Sequence, residues 1–241
     1  IAAGANVDLA DKGEGVTPLI MAAQKGHLKV VEALIAAGAN VDLADKDGWT
    51  PLFSASRLGN LEAVEALIAA GANVDKSNEN GSTPLFWAAR SGRHNIVEAL
   101  IAAGANVDLA SRFQNAGATP LFWAAYMGRV EVVRLLIRAG ADINAETTEV
   151  QTRPGDAQIP AGSTPLSVAR QKRHSHVVAA LEAERRRLAN IDGEMTYGGK
   201  KSRKRRTKKS RTIGGKKSRK QRKRTTLKGG KRKRRRTRRR R

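Results

Sequence analysis

The residue types that could do chemistry in this 241-residue chain gather at one end. Residues 198–241 contain 27 Lys or Arg and no Asp or Glu. On residues 1–197 the remaining 19 basic residues face all 22 acidic ones, so the formal net charge of +24 belongs to the tail and the rest is slightly acidic. A run this dense repels itself and has no apolar face to bury. It is expected to be disordered in isolation and to seek polyanions. Three modules opening at Gly198, Gly214 and Gly229 make up the tail, and their paired glycines interrupt any long helix. Lys200, Lys201, Arg203, Lys204, Arg205, Arg206, Lys216, Lys217, Arg219, Lys231 and Arg232 are the candidate contacts to DNA or RNA backbone. Base readout is not expected, because no aromatic residue follows Tyr197. The same run would also serve as a nuclear address read by an import receptor.

Catalytic chemistry has no comparable signature. The absence of cysteine excludes disulfides, thiolate nucleophiles and Cys-ligated zinc. His174 and His176 stand two apart, which does not bring them to one helix face, and no carboxylate joins them at ligand spacing. No serine occupies a strand-to-helix elbow and no glycine loop is built to cradle phosphate. The expectation is therefore no catalytic residue, no metal and no cofactor. No apolar run approaches the length that spans a bilayer, so membrane insertion is not expected either.

The elements that would have to position any site are announced by a repeat. Thr-Pro recurs at Thr17-Pro18, Thr50-Pro51, Thr83-Pro84, Thr119-Pro120 and Thr164-Pro165, at intervals of 33, 33, 36 and 45. A period in this range means stacked units, each burying its apolar face only against its neighbours. Residues 45–75 show one unit clearly. Thr50 is a helix N-cap and Pro51 takes the first helical position, where a missing N–H costs nothing. Gly59 stops this short helix. Leu61, Val64, Leu67 and Ile68 then mark a second, antiparallel amphipathic helix that Gly71 ends. Gly48 shapes a turn projecting before the next unit. Ala55 and the pairs Ala22-Ala23, Ala88-Ala89 and Ala124-Ala125 leave room for close helix approach.

This pattern of TPL, short helix, Gly59 with Val64 five residues on, and GANVD resembles the ankyrin repeat family over residues 1–181. The resemblance implies an all-α repeat solenoid of stacked helix-turn-helix units, whose projecting turns and first helices line a concave, protein-binding face. It implies contacts from the turn tips and from the last positions of each first helix. Those helix positions are Gln24 and Lys25, Arg57 and Leu58, Arg90 and Ser91, Tyr126 and Met127, and Gln171 and Lys172; the tips include Asp47, Trp49 and the widened Phe113–Ala118. From these, Trp49, Arg57, Leu58, Arg90, Tyr126 and Met127 are the candidate protein-binding residues, with the aromatic and cationic composition that interface anchors favour. Phe86-Trp87 and Phe122-Trp123, which fall at one place in adjacent units, read instead as core and inter-repeat stacking.

Departures from the family pattern carry expectations of their own. Where the family often has His after TPL, this chain has Ile20, Phe53, Phe86, Phe122 and Ser167, so apolar packing should replace the imidazole's hydrogen bonds and loosen the turns. In the last unit Arg173 replaces the glycine and Arg170 an alanine; with Gln171, Lys172, His174 and His176 they read as the polar outer face of a C-terminal cap. The segment 145–163 is an insertion expected to form an exposed loop. The expected organisation is a repeat domain over 1–181, a linker over 182–197 that begins as a short charged helix, and the disordered tail. Within the domain a partial repeat 1–8 precedes units starting near 9, 43, 76, 109 and 145. Because IAAGANVDLA at the start matches Ile35–Ala44 letter for letter, at least one earlier repeat is expected to be missing. The GGKK modules are similar in composition to the C-termini of proteins of large DNA viruses. The reading that follows is a non-enzymatic scaffold that binds a protein on its concave face and uses its tail inside the cell, in the nucleus or on nucleic acid. The alternative is a nucleic-acid-binding or packaging protein acting mainly through the tail.

Overall fold

A computed structural model describes residues 4–112, 117–148 and 160–191. Each Thr-Pro opens an inner helix: α1 (Pro18–Lys25), α3 (Pro51–Leu58), α5 (Pro84–Ser91), α7 (Pro120–Tyr126) and α9 (Pro165–Gln171). Each is followed by an outer helix: α2 (Leu28–Ala36), α4 (Leu61–Ala69), α6 (His94–Ala102), α8 (Val130–Arg138) and α10 (residues 175–191). Inner helices pack on inner helices in chain order, and α2, α4, α6 and α8 form a second row behind them. Among the described residues there is no strand, and no helix is long and apolar enough to cross a membrane. This is an all-α repeat solenoid.

The inner helices are held at their starts by one repeated bond. Thr17, Thr50, Thr83, Thr119 and Thr164 each accept the backbone N–H three residues on, at 3.1–3.3 Å. Such a cap contributes about 1 kcal/mol. Phe53, Phe86 and Phe122 are buried beneath these caps, and the cap bond is kept in all five units. Ser167 departs from expectation. Its hydroxyl accepts from Thr164 N–H at 2.9 Å, completing a reciprocal capping box rather than packing apolar surface. The alanines at the helix contacts are buried as their size requires, with Ala23, Ala55, Ala88, Ala89, Ala124 and Ala125 at zero exposure.

Register between units is set by carboxylates. Asp8, Asp42, Asp75 and Asp108 accept the backbone N–H of Asn40, Asn73, Asn106 and Asp142, one unit further along, at 3.0–3.1 Å. The Asn of each GANVD block turns back to take the N–H of the Asp two residues later. The turn tips are joined in the same direction: Lys46, Glu79 and Arg112 N–H donate to the carbonyls of Glu14, Asp47 and Asn80. The two insertions are closed at their bases. Ser111 N–H bonds Ala118 O at 2.9 Å, and Thr147 exchanges backbone bonds with Gly162 and Ser163, so the extra residues leave the stack between α5 and α9 continuous. Phe113–Ala116 and residues 149–159, which include most of the expected loop, lie outside the described residues.

The glycine that ends an inner helix also admits the next unit. Gly59 has φ +96° and donates to Ala55 O at 2.9 Å; a Cβ there would come within 2.8 Å of the Arg93 guanidinium. In the same relation, Asn60 lies over Gly26, Arg129 over Gly92 and His174 over Gly128. These residues bond the helix end they cover: Asn60 Nδ2 donates to Ala23 O and Gln24 O at 2.8 and 2.9 Å, and His174 Nε2 lies 3.0 Å from Tyr126 O. Arg173 takes the glycine position of the last unit at φ +60°, a conformation that costs a side chain about 1–2 kcal/mol. Among the described residues no following unit packs over it.

The C-terminal unit corrects two expectations. Residues 182–191 continue α10 without a break, so the linker does not begin at 182. The Ala-, Glu- and Arg-rich sequence favours helix, and Glu182 and Glu184 pair with Arg170 and Arg187 at 2.6 and 2.5 Å. Nor do all the polar residues of this unit face outward. His174 bonds Tyr126 O, and Lys172 Nζ stands 4.3 Å from the Tyr126 ring centre. The tail and the rest of the segment after Ile191 lie outside the described residues.

Two predictions follow from these ends. Gly59→Ala should destabilise by about 1–2 kcal/mol. Arg173→Gly should stabilise by about 0.5–1 kcal/mol, strain relief exceeding the added freedom of the unfolded chain; urea unfolding followed by circular dichroism reads both signs. The hydrogen bond from Arg170 holds the Glu182 carboxyl below its ordinary range. A depressed folded pKa gives stability that is whole above the unfolded pKa and lost as pH falls through the folded one. Glu182→Gln should therefore reduce the drop in Tm between neutral pH and about pH 3, measured by thermal melts of both proteins.

Candidate functional site

The side chains most suited to recognition lie in one row along the C-terminal halves of the inner helices. Trp49 sits at a turn tip, its backbone N–H held by Asp45 Oδ1 at 2.8 Å and its ring stacked on Phe53 at 5.5 Å between centres. Arg57, in the last turn of α3, places its guanidinium 4.5 Å from the Trp49 ring and 5.5 Å from that of Trp87 in the next unit. Arg90, one unit on, stands 4.9 Å from Trp87 and 5.1 Å from Trp123. Trp123 meets Tyr126 edge to face at 5.2 Å, and Lys172 covers Tyr126. Rings and cations therefore follow one another through four successive units.

The helical repeat explains the order. Trp87 and Trp123 are the fourth residues of α5 and α7, and Arg90 and Tyr126 the seventh, so each pair is i, i+3 and shares a face. The stack of units then carries each cation over the next unit's indole. Beneath the row, Phe53 meets Trp87 at 6.4 Å and Phe86 meets Trp123 at 6.1 Å, both edge to face across units. Each cation–ring contact at a partly exposed site contributes about 0.5–1 kcal/mol. More relevant to recognition, the contacts remove rotamer freedom from long arginine side chains before any partner arrives.

Of the six expected protein-binding residues, the structure brings Trp49, Arg57, Arg90 and Tyr126 into this row. Leu58 stands in solvent at 41 % exposure, and Met127 packs partly buried against the core. Trp87 and Trp123 were read as core and inter-repeat stacking, and both do meet a phenylalanine of the preceding unit. Trp123 is core, at 3 % exposure, and its Nε1 is buried with no hydrogen-bond partner among the described residues. Trp87 is only half buried and has the guanidinium groups of Arg57 and Arg90 at 5.5 and 4.9 Å from its ring, the second readable from its i, i+3 spacing to Arg90. Lys172, named as a contact position but not as an anchor, closes the row. The eleven candidate nucleic-acid contacts from Lys200 to Arg232 lie outside the described residues. Among the described residues no three His, Asp or Glu converge as metal ligands.

A family model of ankyrin repeats, in three copies, matches residues 1–78 and 55–147. The chain belongs to the ankyrin repeat family. A search of curated proteins finds no match to it. Ankyrin repeats generally mediate protein–protein interaction. The units beyond residue 147 keep the ankyrin geometry, since α9 packs on α7 and Thr164 caps it as the earlier threonines do.

The energetic content of the row can be measured directly. A double-mutant cycle of Arg57→Ala and Trp49→Leu should give a coupling of about 0.5–1 kcal/mol in unfolding free energy. A coupling near zero would mean that the two side chains merely lie close.

Proposed function

We propose that this ankyrin repeat protein is a non-enzymatic scaffold: it binds a protein partner on the concave face through the row from Trp49 to Lys172, while residues 198–241 direct it to the nucleus or tether it to nucleic acid. The observation that carries the reading is the row itself. Four units contribute large amphipathic side chains, already ordered by one another, to the face on which ankyrin repeats make contacts, and Trp, Tyr and Arg are the residue types that dominate binding energy at protein interfaces. The charge separation supports a divided labour, because a slightly acidic repeat region and a tail of 27 cations suit different partners.

The tail supports a second reading on its own observation. With 27 Lys or Arg and no acid, it has the charge to hold a nucleic-acid backbone without the repeats, which would make the chain a nucleic-acid-binding or packaging protein. Affinity purification with residues 1–197 and with 1–241, each with and without nuclease, separates the two. Under the scaffold reading 1–197 retains a discrete protein set that nuclease does not alter and that Arg57→Ala with Arg90→Ala depletes. If only 1–241 retains anything and nuclease removes it, the scaffold reading is wrong.

A further inference from the structure

The repeat breaks its own pattern in the outer row. Helices α2, α4 and α6 carry Glu32, Glu65 and Glu98 as their fifth residue and Ala36, Ala69 and Ala102 as their ninth, whereas α8 carries Arg134 and Arg138 at these places. An acid is lost and two cations are gained one turn apart on one face, where like charges repel. A cation in the last turn complements the helix dipole, which accounts for Arg138 but not for Arg134. Local carboxylates do little to balance the pair. Arg134 lies 3.8 Å from Glu131 with both side chains more than half exposed, a contact of small energetic value, and Arg138 has no ion pair among the described residues.

The face that carries the two arginines borders a groove. Helix α10 has Ala179, Ala180 and Ala183 where α8 has Arg134, Leu135 and Arg138, so small side chains leave the space between the two helices unfilled. The groove holds about 490 Å³, within the range of about 300–1,000 Å³ typical of small-ligand sites. Ile137 and the three alanines form its apolar part, and Arg134, Arg138 and His176 line it with polar groups. Arg187 and Glu184 also line it but are engaged with each other through two contacts, at 2.8 and 2.5 Å. We propose that this groove binds a phosphate monoester with an apolar body, the phosphate resting on the guanidinium groups of Arg134 and Arg138 and the body on the alanines. A phosphate dianion matches two cations in charge, and its oxygens accept from two planar forks at once. A carboxylate has one charge and two oxygens, enough for a single fork. The site lies on the outer helices, apart from the inner-helix row, and does not depend on what that row binds.

The test must separate the groove from the cationic tail, which attracts phosphate by charge alone. In NMR spectra of the full chain, the methyl signals of Ala179, Ala180 and Ala183 and the ring signals of His176 report the groove, while tail residues have signals of their own. Phenyl phosphate should shift the groove signals saturably. Benzyl alcohol, which has the ring without the charge, should not, and inorganic phosphate should bind more weakly. Dihexanoyl phosphatidic acid provides the lipid arm: tighter binding than phenyl phosphate assigns the body to an acyl lipid, looser binding assigns it to a soluble ester, and either supports the site. Arg134→Glu with Arg138→Ala, which installs the residues that α6 has at these places, should weaken phenyl phosphate at least about tenfold with the remaining signals in place. Ala180→Leu, which installs the residue of α8, should fill the groove and weaken phenyl phosphate without removing any charge. If inorganic phosphate binds the groove as tightly as phenyl phosphate, the alanines hold no ligand and the proposal is overturned. It is equally overturned if benzyl alcohol produces the same shifts, if phenyl phosphate moves tail signals alone, or if the doubly substituted protein binds as the original does.

Discussion

Every unit of this molecule is too small to bury its own apolar face, so stability depends on each neighbour arriving in one register. The carboxylate bonds from Asp8, Asp42, Asp75 and Asp108 to the backbone of the next unit meet that constraint at one edge, and the turn-tip bonds meet it at the other. Hydrophobic burial supplies most of the free energy but tolerates sliding, since it has no direction. Hydrogen bonds to fixed backbone donors do not. The buried leucines and phenylalanines of the inner helices pack as they do because polar groups at both edges allow one offset.

That offset gives the row of rings and cations its form. Residues that occupy the same helical position in successive units are brought side by side, so a motif spread over more than 120 residues, from Trp49 to Lys172, becomes one continuous strip. The 36-residue interval between Thr83 and Thr119 would break this order if its extra residues entered the stack. The Ser111–Ala118 pairing closes them off at the tip, and Trp123 still meets Phe86 and Arg90 as Trp87 meets Phe53 and Arg57.

The parts of this design that follow local rules were legible in the sequence. Thr-Pro, the closing glycines and the small alanines each act within a turn or a single contact, and five copies made them unmistakable. The row of rings and cations was half legible. Trp49, Arg57, Arg90 and Tyr126 could be placed by position in the unit, but the pairing of Arg57 with Trp87 spans two units and depends on the side-chain rotamers that the stack selects. The ladder of aspartates was visible as GANVD yet not interpretable, because its acceptors serve donors 31 to 34 residues away. Arg173 showed a missing glycine without showing that its backbone keeps the left-handed turn. The charged helix after Leu181 was seen, but not that it continues the outer helix without a break.

The arginine at 173 has a meaning for assembly as well as for strain. A row of stacked units is in principle a polymer, able to add a second copy wherever its terminal face repeats the internal one. At Gly26, Gly59, Gly92 and Gly128 the internal face offers a notch that the following unit's side chain fills. At the C-terminal unit the notch is blocked by a side chain, while the long α10 with its ion pairs replaces the bare face. The solenoid thus has a polarity that its periodic sequence conceals: the position that admits a following side chain in the other units already holds one here.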